Sequence, residues 1–320
     1  MSGLRRNLVF CCDGTGNDPS APTNVKLFEN CVKRTARPTE TRPAQIVRYE
    51  KGVGTRAFEV IGGSLAGTGR EKRIKAGYSF LRSQYALPAY RPHQNRVFLL
   101  GFSRGAYTVR RLSAMLDFCG LTRKATDEAR AWDIYANRDE KAAAKLRNEN
   151  KSFDIKIEMI GVWDTVKATL DEDFNDRDLA GNVAAGYHAM AIDERRKLFP
   201  VLRWKAEETR VLEVWFAGVH SDVGGGYDRR GLSNIALQWM IYRAAAHGLQ
   251  FQADRVKANR KRTSSPIHES LGAMWVLGPK GRTIRKTDWV HKSVLKKLEG
   301  PDDYQPSNLP DQPRYWPPAT

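Results

Sequence analysis

The sequence has no apolar run that approaches the roughly 18 residues of a membrane-spanning helix. The apolar run at residues 8–12 is too short for a signal-peptide core, and no small-residue cleavage site follows it. These absences predict a cytoplasmic protein whose export would need a dedicated secretion system. Cysteine is also scarce. There are four, none with C-x-x-C spacing, and we expect them to be reduced residues of the core.

The sequence has fewer acidic than basic residues, with 36 Asp and Glu and 53 Lys and Arg, which gives a net charge of +17. Such a balance favours anionic partners, which include nucleic acid, acidic lipid headgroups and acidic proteins. The densest basic cluster, at residues 255–262, fits either an anion-binding surface or a solvated loop. No nucleic-acid recognition motif accompanies it, so we expect no nucleic-acid partner and allow peripheral contact with an anionic membrane surface.

One stretch of the chain combines an apolar run with a short catalytic motif. Residues 96–100 (RVFLL) predict a buried strand, residues 101–105 read Gly-Phe-Ser-Arg-Gly, and apolar residues at helical spacing predict a helix over 104–119. A serine on a sharp strand-to-helix turn lies at a helix N-terminus, where backbone N–H groups and the helix dipole favour negative charge. Ser103 is therefore the candidate nucleophile, and the alternative is a serine that only caps the helix.

Two further predicted strands end in residues that could work with this serine. The strand predicted at residues 153–162 leads to Asp164, and that at residues 211–219 leads to His220. The chain order Ser, Asp, His is that of α/β-hydrolases. The imidazole takes the serine proton, and the carboxylate orients the imidazole and stabilises its charged form. His291 is the main rival to His220 as the base.

The first predicted strand, residues 5–12, ends in a turn at Asp13, Gly14 and Thr15. Open α/β sheets place their sites at such strand ends. A backbone N–H of Gly14 or Thr15 could form an oxyanion hole with the N–H of Arg104, while Asp13 could bind a metal or simply form the turn. Asp222 is a candidate second-sphere partner of the His220 loop.

Four ordered motifs resemble one known family. They are FCCDGTGN at residues 10–17, GFSRGA at 101–106, GVWDTV at 161–166 and GVHSDVGGGY at 218–227. The family is the α/β-hydrolase family, formerly classed as a domain of unknown function, that is related to the catalytic domain of type VI secretion phospholipase effectors. The resemblance covers about residues 5–250. It implies Ser103 as nucleophile, Asp164 as acid and His220 as base, acting on phospholipid acyl esters.

These observations predict an α/β protein of the α/β-hydrolase type, with a mainly parallel sheet flanked by helices. We expect a single domain over residues 1–320, with its core at about 5–250. A helical lid or cap is expected from residues 121–153 and 165–205, and a basic loop with a proline-rich tail over 252–320.

The leading function is a serine ester hydrolase that acts on phospholipid or another lipid ester and needs no cofactor or metal. Two alternatives stay open. One is a non-enzymatic binder of an anionic partner. The other is a metal-dependent phosphoesterase, which would use Asp13, Asp164, His220 and Asp222.

Overall fold

The computed structural model describes residues 5–14, 20–52, 65–150, 152–166, 177–271 and 278–317. The strands in these ranges are β1 (Arg6–Cys12), β2 (Ala44–Glu50), β3 (Asn95–Phe102), β4 (Ile157–Trp163), β5 (Gly186–Ala191), β6 (Val211–Phe216), β7 (Trp289–His291) and β8 (Arg314–Trp316). The helices in the same ranges are α1 (Asn24–Cys31), α2 (Leu65–Tyr85), α3 (Arg104–Cys119), α4 (Glu128–Ala136), α5 (Glu140–Asn150), α6 (His220–Gly224), α7 (Ser233–Ala246), α8 (Ala253–Ala258) and α9 (Lys292–Leu298).

The eight strands of the described residues form one sheet in the order β2-β1-β3-β4-β5-β6-β7-β8. Every neighbouring pair in it is parallel. Central strands of such a sheet are covered on both faces and read as continuous apolar runs, which is why β1, β3 and β4 were recognisable in the sequence. The predicted fold class, an α/β-hydrolase-like parallel sheet flanked by helices, is confirmed.

The side chains of β1 show how the two layers of helices are held. Leu8, Phe10 and Cys12 pack with residues of α2 and α3 on one face, while Val9 and Cys11 pack with residues of α1 and α7 on the other. Successive strand residues point to opposite faces, so one strand supplies both cores. All four cysteines are free and buried, as expected of core residues.

The strand order changes direction beside β1. The chain places β2 on one side of β1, then crosses back so that β3 lies on the other side, and from β3 onward the strands follow chain order. In an open parallel sheet, a crevice forms outside the carboxyl ends of the strands at such a switch point. The turns that follow β1 and β3 flank this crevice.

Two predictions about the periphery of the fold were wrong. Residues 252–320 are more than a basic loop and a tail, because they contribute β7 and β8 to the sheet. Each of these strands has three residues, too few for a recognisable apolar pattern. The cap predicted over residues 165–205 includes β5, which lies inside the sheet between β4 and β6.

The segment at residues 121–153 contains α4 and α5, and their buried residues belong to the core beside α3. Leu146 and Tyr135 have no solvent exposure, and both pack in the cluster that includes Val109 and Leu112 of α3. Helices buried to this depth are part of the helical layer. The prediction of a lid from this segment therefore does not fit its packing.

The turn between β3 and α3 is tight because two glycines let backbone segments touch. A Cβ atom at Gly101 would lie 2.7 Å from Cα of Ala106. A Cβ atom at Gly105 would overlap the carbonyl oxygen of Cys12 and lie 2.5 Å from that of Asp13. The end of β1 and the first turn of α3 can approach this closely only if residue 105 has no side chain.

We expect Gly105→Ala to lower the free energy of unfolding by ~3 kcal/mol, because the added methyl group meets backbone that cannot move aside. Urea denaturation would measure the loss. Gly281→Ala is the matched control, since its Cβ would meet no atom of the described residues within 4 Å, and we expect it to change stability by less than ~0.5 kcal/mol. Equal effects of the two substitutions would contradict the close approach at Gly105.

Candidate active site

Ser103 lies at the turn between β3 and α3 in a strained backbone conformation. Its φ is 56° and its ψ is −125°, and such conformations cost a non-glycine residue ~1–3 kcal/mol. Its N–H donates to the carbonyl oxygen of Trp163 at 3.0 Å, which joins the turn to the end of β4. The Ser103 side chain makes no capping hydrogen bond to α3. The alternative of a helix-capping serine is therefore not supported.

Asp164 directly follows β4 and has no solvent exposure. Its Oδ2 lies 2.5 Å from Nδ1 of His220. Its Oδ1 accepts a hydrogen bond of 2.9 Å from the N–H of Ala191, at the end of β5. The residue has a positive φ of 40°, another local strain at this edge of the sheet. The sequence-predicted acid and base are thus hydrogen-bonded to each other.

Arg282 holds both oxygens of the Asp164 carboxylate. Its Nη1 lies 2.5 Å from Oδ1 and its Nη2 lies 2.9 Å from Oδ2, and the same nitrogens donate to the carbonyl oxygens of Ala191 and Phe199. Burial alone would raise the pKa of Asp164. The charge of Arg282 and the hydrogen bond from His220 outweigh burial and hold that pKa well below its usual range. Asp164 is therefore ionised at neutral pH.

His220 is the first residue of α6, and its ring is fixed on several sides. Because an ionised carboxylate only accepts, Nδ1 donates to Asp164 and Nε2 is left as the basic nitrogen. The ring packs on Phe102 at 4.6 Å and against the edge of Phe199 at 5.1 Å between centroids. Burial lowers the pKa of His220, and Asp164 partly offsets this. The ring is therefore neutral at neutral pH, as a general base must be.

Packing of α6 brings His220 to the same edge as the Ser103 turn. A Cβ atom at Gly224 would overlap the ring of Phe102, so the helix lies directly on the residue before Ser103. The hydrogen bond from the Ser103 N–H to the carbonyl oxygen of Trp163 holds the same turn beside Trp163, the residue that precedes Asp164. The carboxyl ends of β3 and β4 and the start of α6 therefore meet at one place.

The loop after β1 is held by the side chain of Asp13. This carboxylate accepts hydrogen bonds from the hydroxyls of Tyr49 at 2.6 Å and Thr23 at 2.7 Å, and from the N–H of Gly14 at 2.7 Å. Burial raises the pKa of Asp13 despite these donors. The Gly14 N–H, predicted to face an oxyanion, is directed to the neighbouring carboxylate instead. Thr15 lies outside the described residues.

Asp222 faces a different histidine from the one predicted to be catalytic. Its Oδ1 lies 2.5 Å from Nδ1 of His268, and its Oδ2 accepts hydrogen bonds of 3.1 Å from the N–H groups of His268 and Val219. Tyr227 stacks on His268 with 4.0 Å between the ring centroids. Through Val219, Asp222 supports the turn on which His220 lies.

The alternative metal site does not form among the described residues. Within those ranges, no group of three or more His, Cys, Asp or Glu side chains is arranged to hold an ion. Asp13, Asp164 and Asp222 each bind a different set of hydrogen-bond donors. The ligand set required for the phosphoesterase alternative is therefore not brought together.

His291, the rival base, has a structural position at the start of α9. Its Nδ1 accepts a hydrogen bond of 3.2 Å from the N–H of Ser293 and so caps the helix. The ring stacks on Phe216 with 4.6 Å between centroids. Burial lowers the pKa of His291 to about 4, and Lys261 and Arg243 contribute to the shift. His291 is neutral at neutral pH and serves as a cap.

The basic cluster is divided between a helix and a hollow. Arg255 and Lys257 lie on α8, so the first half of the predicted loop is helical. The second half lines a hollow of about 470 Å³, whose basic residues are Arg229, Arg230, Arg260, Lys261 and Arg262.

Two partners of the site were missed by sequence reasoning. Arg282 stands in a loop with no apolar or motif pattern, so no signal marks it. Glu194 accepts a hydrogen bond of 3.2 Å from the N–H of His220 and pairs with Arg196. The run of charged residues at 193–196, directly after the apolar end of β5, is a signal that could have identified Glu194.

Comparison with known families identifies the family of this chain. A sequence profile of the family described as "T6SS, Phospholipase effector Tle1-like, catalytic domain" matches residues 6–243. The chain belongs to this family of Tle1-like catalytic domains. The resemblance indicated by the four sequence motifs is confirmed. Arg282 lies beyond the matched Tle1-like region, although it binds the predicted acid within it.

Individual relatives of this Tle1-like chain are distant. An uncharacterized protein of Saccharomyces cerevisiae is 25% identical in an alignment 233 residues long, which covers 63% of this chain and 33% of the yeast protein. The crystal structure of an uncharacterized protein from Pseudomonas aeruginosa has a TM-score of 0.50 at 20% identity, over 81% of this chain and 47% of that one. This likeness shows a shared fold.

A second solved structure is the Tle1 effector bound to the VgrG spike from the type 6 secretion system. It has a TM-score of 0.41 at 18% identity, over 71% of this chain and 52% of that one. The present chain thus spans about a third of the yeast relative and about half of each solved structure. In the part of the chain that the structure describes, no helix is both long and apolar enough to cross a bilayer.

We expect Arg282→Gln to raise the pKa of His220, since the Asp164 charge would no longer be countered by a cation. It should also lower the free energy of unfolding by about 3 kcal/mol, because a buried carboxylate would lose its ion pair. NMR titration of the His220 ring and urea denaturation would measure the two effects. Arg282→Lys keeps the charge and should shift the pKa less. An unchanged His220 pKa in the Gln variant would show that Arg282 has no electrostatic effect on the base.

We expect His291→Asn to reduce the loss of stability at acidic pH. Because the pKa of His291 is lowered on folding to about 4, the unfolded chain binds a proton first, and stability is lost as the pH falls from about 6.5 towards 4. Asparagine caps a helix well and does not titrate. Thermal unfolding between pH 4 and 7 should therefore depend less steeply on pH in the variant. Identical pH profiles would rule out His291 as a contributor.

Proposed function

We propose that the protein is a serine carboxylic-ester hydrolase that acts on phospholipids or other lipid esters. The observation that carries this proposal is the hydrogen bond between His220 and Asp164 beside the strained Ser103 turn. Membership of the Tle1-like phospholipase effector family supports a lipid ester as substrate. The sheet runs unbroken from β2 to β8, which supports one hydrolase domain.

In the proposed reaction, Nε2 of His220 takes the proton of the Ser103 hydroxyl while Oγ attacks the acyl carbonyl carbon. Asp164 keeps the proton on Nδ1 and stabilises the imidazolium that forms. The tetrahedral intermediate then expels the alcohol of the ester, which takes the proton from His220. An acyl-enzyme on Ser103 remains.

Water completes the cycle with the same histidine as base. It loses a proton to His220 and attacks the acyl-enzyme, and collapse of the second intermediate returns the proton to Ser103 and releases the fatty acid. The N–H of Arg104 is the proposed oxyanion donor, since first-turn amides of a helix have no intrahelical acceptor. The Gly14 amide is engaged by Asp13, and Thr15, the other candidate for a second donor, lies outside the described residues.

Labelling with a fluorophosphonate probe tests the nucleophile directly. We expect the wild-type protein and Ser83→Ala, a control at an exposed serine of α2, to be labelled, and Ser103→Ala to remain unlabelled. Hydrolysis of phosphatidylcholine should fall by ~10⁴-fold or more in Ser103→Ala and should survive EDTA in the wild type. Labelling or substantial hydrolysis by the Ser103→Ala variant would refute the proposal.

A further inference from the structure

Arg73 of α2 is a buried cation that has no acidic partner among the described residues. Its side chain is 5% exposed, and its Nη2 donates to the hydroxyl of Thr108 at 3.3 Å. Its Nε and Nη1 are buried and have no hydrogen-bond acceptor among the residues that the structure describes. Burying a guanidinium without compensation is costly, so fixed donors of this kind favour a site that an anion completes.

Two other guanidinium groups of the fold are neutralised by carboxylates. Arg282 binds Asp164, and Arg203 binds Asp288 through two hydrogen bonds of 2.8 Å. Arg73 differs from these because its only described partner is a neutral hydroxyl. Its unused donors therefore require an explanation other than an internal ion pair.

Arg104, the residue after Ser103, is a second cation and lies on the first turn of α3. The Thr108 hydroxyl that accepts from Arg73 donates to the Arg104 carbonyl oxygen at 3.0 Å, so Arg73 lies against the first turn of α3. Burial and the nearby charge of Arg73 both lower the pKa of Arg104. Two cations that repel each other beside the nucleophile are stabilised by an anion between them.

Asp13 is one acidic group within electrostatic reach of Arg73. The charge of Arg73 acts to lower the pKa of Asp13, although burial raises it overall. The Asp13 carboxylate already accepts from Tyr49, Thr23 and Gly14. It does not satisfy the Nε and Nη1 donors of Arg73.

We propose that Arg73 and Arg104 form a phosphate-binding subsite beside Ser103, which holds the headgroup phosphodiester of a glycerophospholipid. This inference rests on the proposed function. In a glycerophospholipid, the phosphorus lies only a few covalent bonds from each acyl carbonyl carbon. A phosphate held one residue from the nucleophile would therefore direct a glycerol ester to it. A neutral glyceride lacks the anion, so the subsite would select phospholipids.

A pair of matched substrates tests this selection. Dihexanoyl phosphatidylcholine and dihexanoylglycerol carry the same acyl chains and differ in the phosphate headgroup. The measured quantity is the kcat/KM for dihexanoyl phosphatidylcholine divided by the kcat/KM for dihexanoylglycerol. We expect this ratio to fall by ~10-fold or more in Arg104→Gln and in Arg73→Gln. Lys72→Gln removes an exposed charge from the same helix and should leave the ratio unchanged. Equal losses for both substrates, or none, would overturn the proposal.

Calorimetric titration with inorganic phosphate and with glycerophosphocholine provides a readout independent of catalysis. We expect the wild type to bind glycerophosphocholine and Arg104→Gln to lose this binding. Binding of inorganic phosphate alone would indicate a site for free phosphate and refute the headgroup assignment. If Arg73→Gln does not fold, Arg73→Lys takes its place in the test, because lysine keeps the positive charge and lacks the forked donors of arginine. Failure of the fluorophosphonate probe to label Ser103 would refute the proposed hydrolase function. The calorimetry would separately test whether Arg73 and Arg104 bind an anion.

Discussion

The buried charge of Asp164 is the constraint that organises this site. A carboxylate with no solvent exposure must be compensated by charge and hydrogen bonds. Arg282 supplies the charge, and His220 and the backbone of Ala191 supply hydrogen bonds. These partners come from three separate parts of the chain, so the parallel sheet and its loops must all be in place before the carboxylate is satisfied.

The parts of the fold that could be predicted are those with local patterns. The apolar runs of β1, β3 and β4 and the helical spacing of α3 are visible in the sequence because these elements are buried and long enough to repeat. Ser103 and Asp164 could be proposed because they directly follow β3 and β4, and His220 because it follows the apolar run that contains β6. β7 and β8 could not be predicted, since their place in the sheet depends on pairing with β6 rather than on a local signal.

The choice among acidic residues shows where sequence reasoning stops. Asp164 and Asp222 both follow apolar strands and both bind a histidine Nδ1 at 2.5 Å. Asp222 lies two residues after His220 in the same short helix, and side chains at that spacing point in different directions. It therefore binds His268, which follows the basic cluster by several residues. Only the arrangement in space distinguishes the pair at the Ser103 turn from this second pair.

The bond between Asp164 and Arg282 spans 118 residues of sequence. Proteins are synthesised from the N-terminus, so the acid and the whole strand β4 leave the ribosome well before the arginine that neutralises the acid. A nascent chain that ends before residue 282 therefore contains the motif residues without the cation that makes their burial favourable. The last quarter of the chain thus governs when the site can mature, although none of the recognised motifs lies within it.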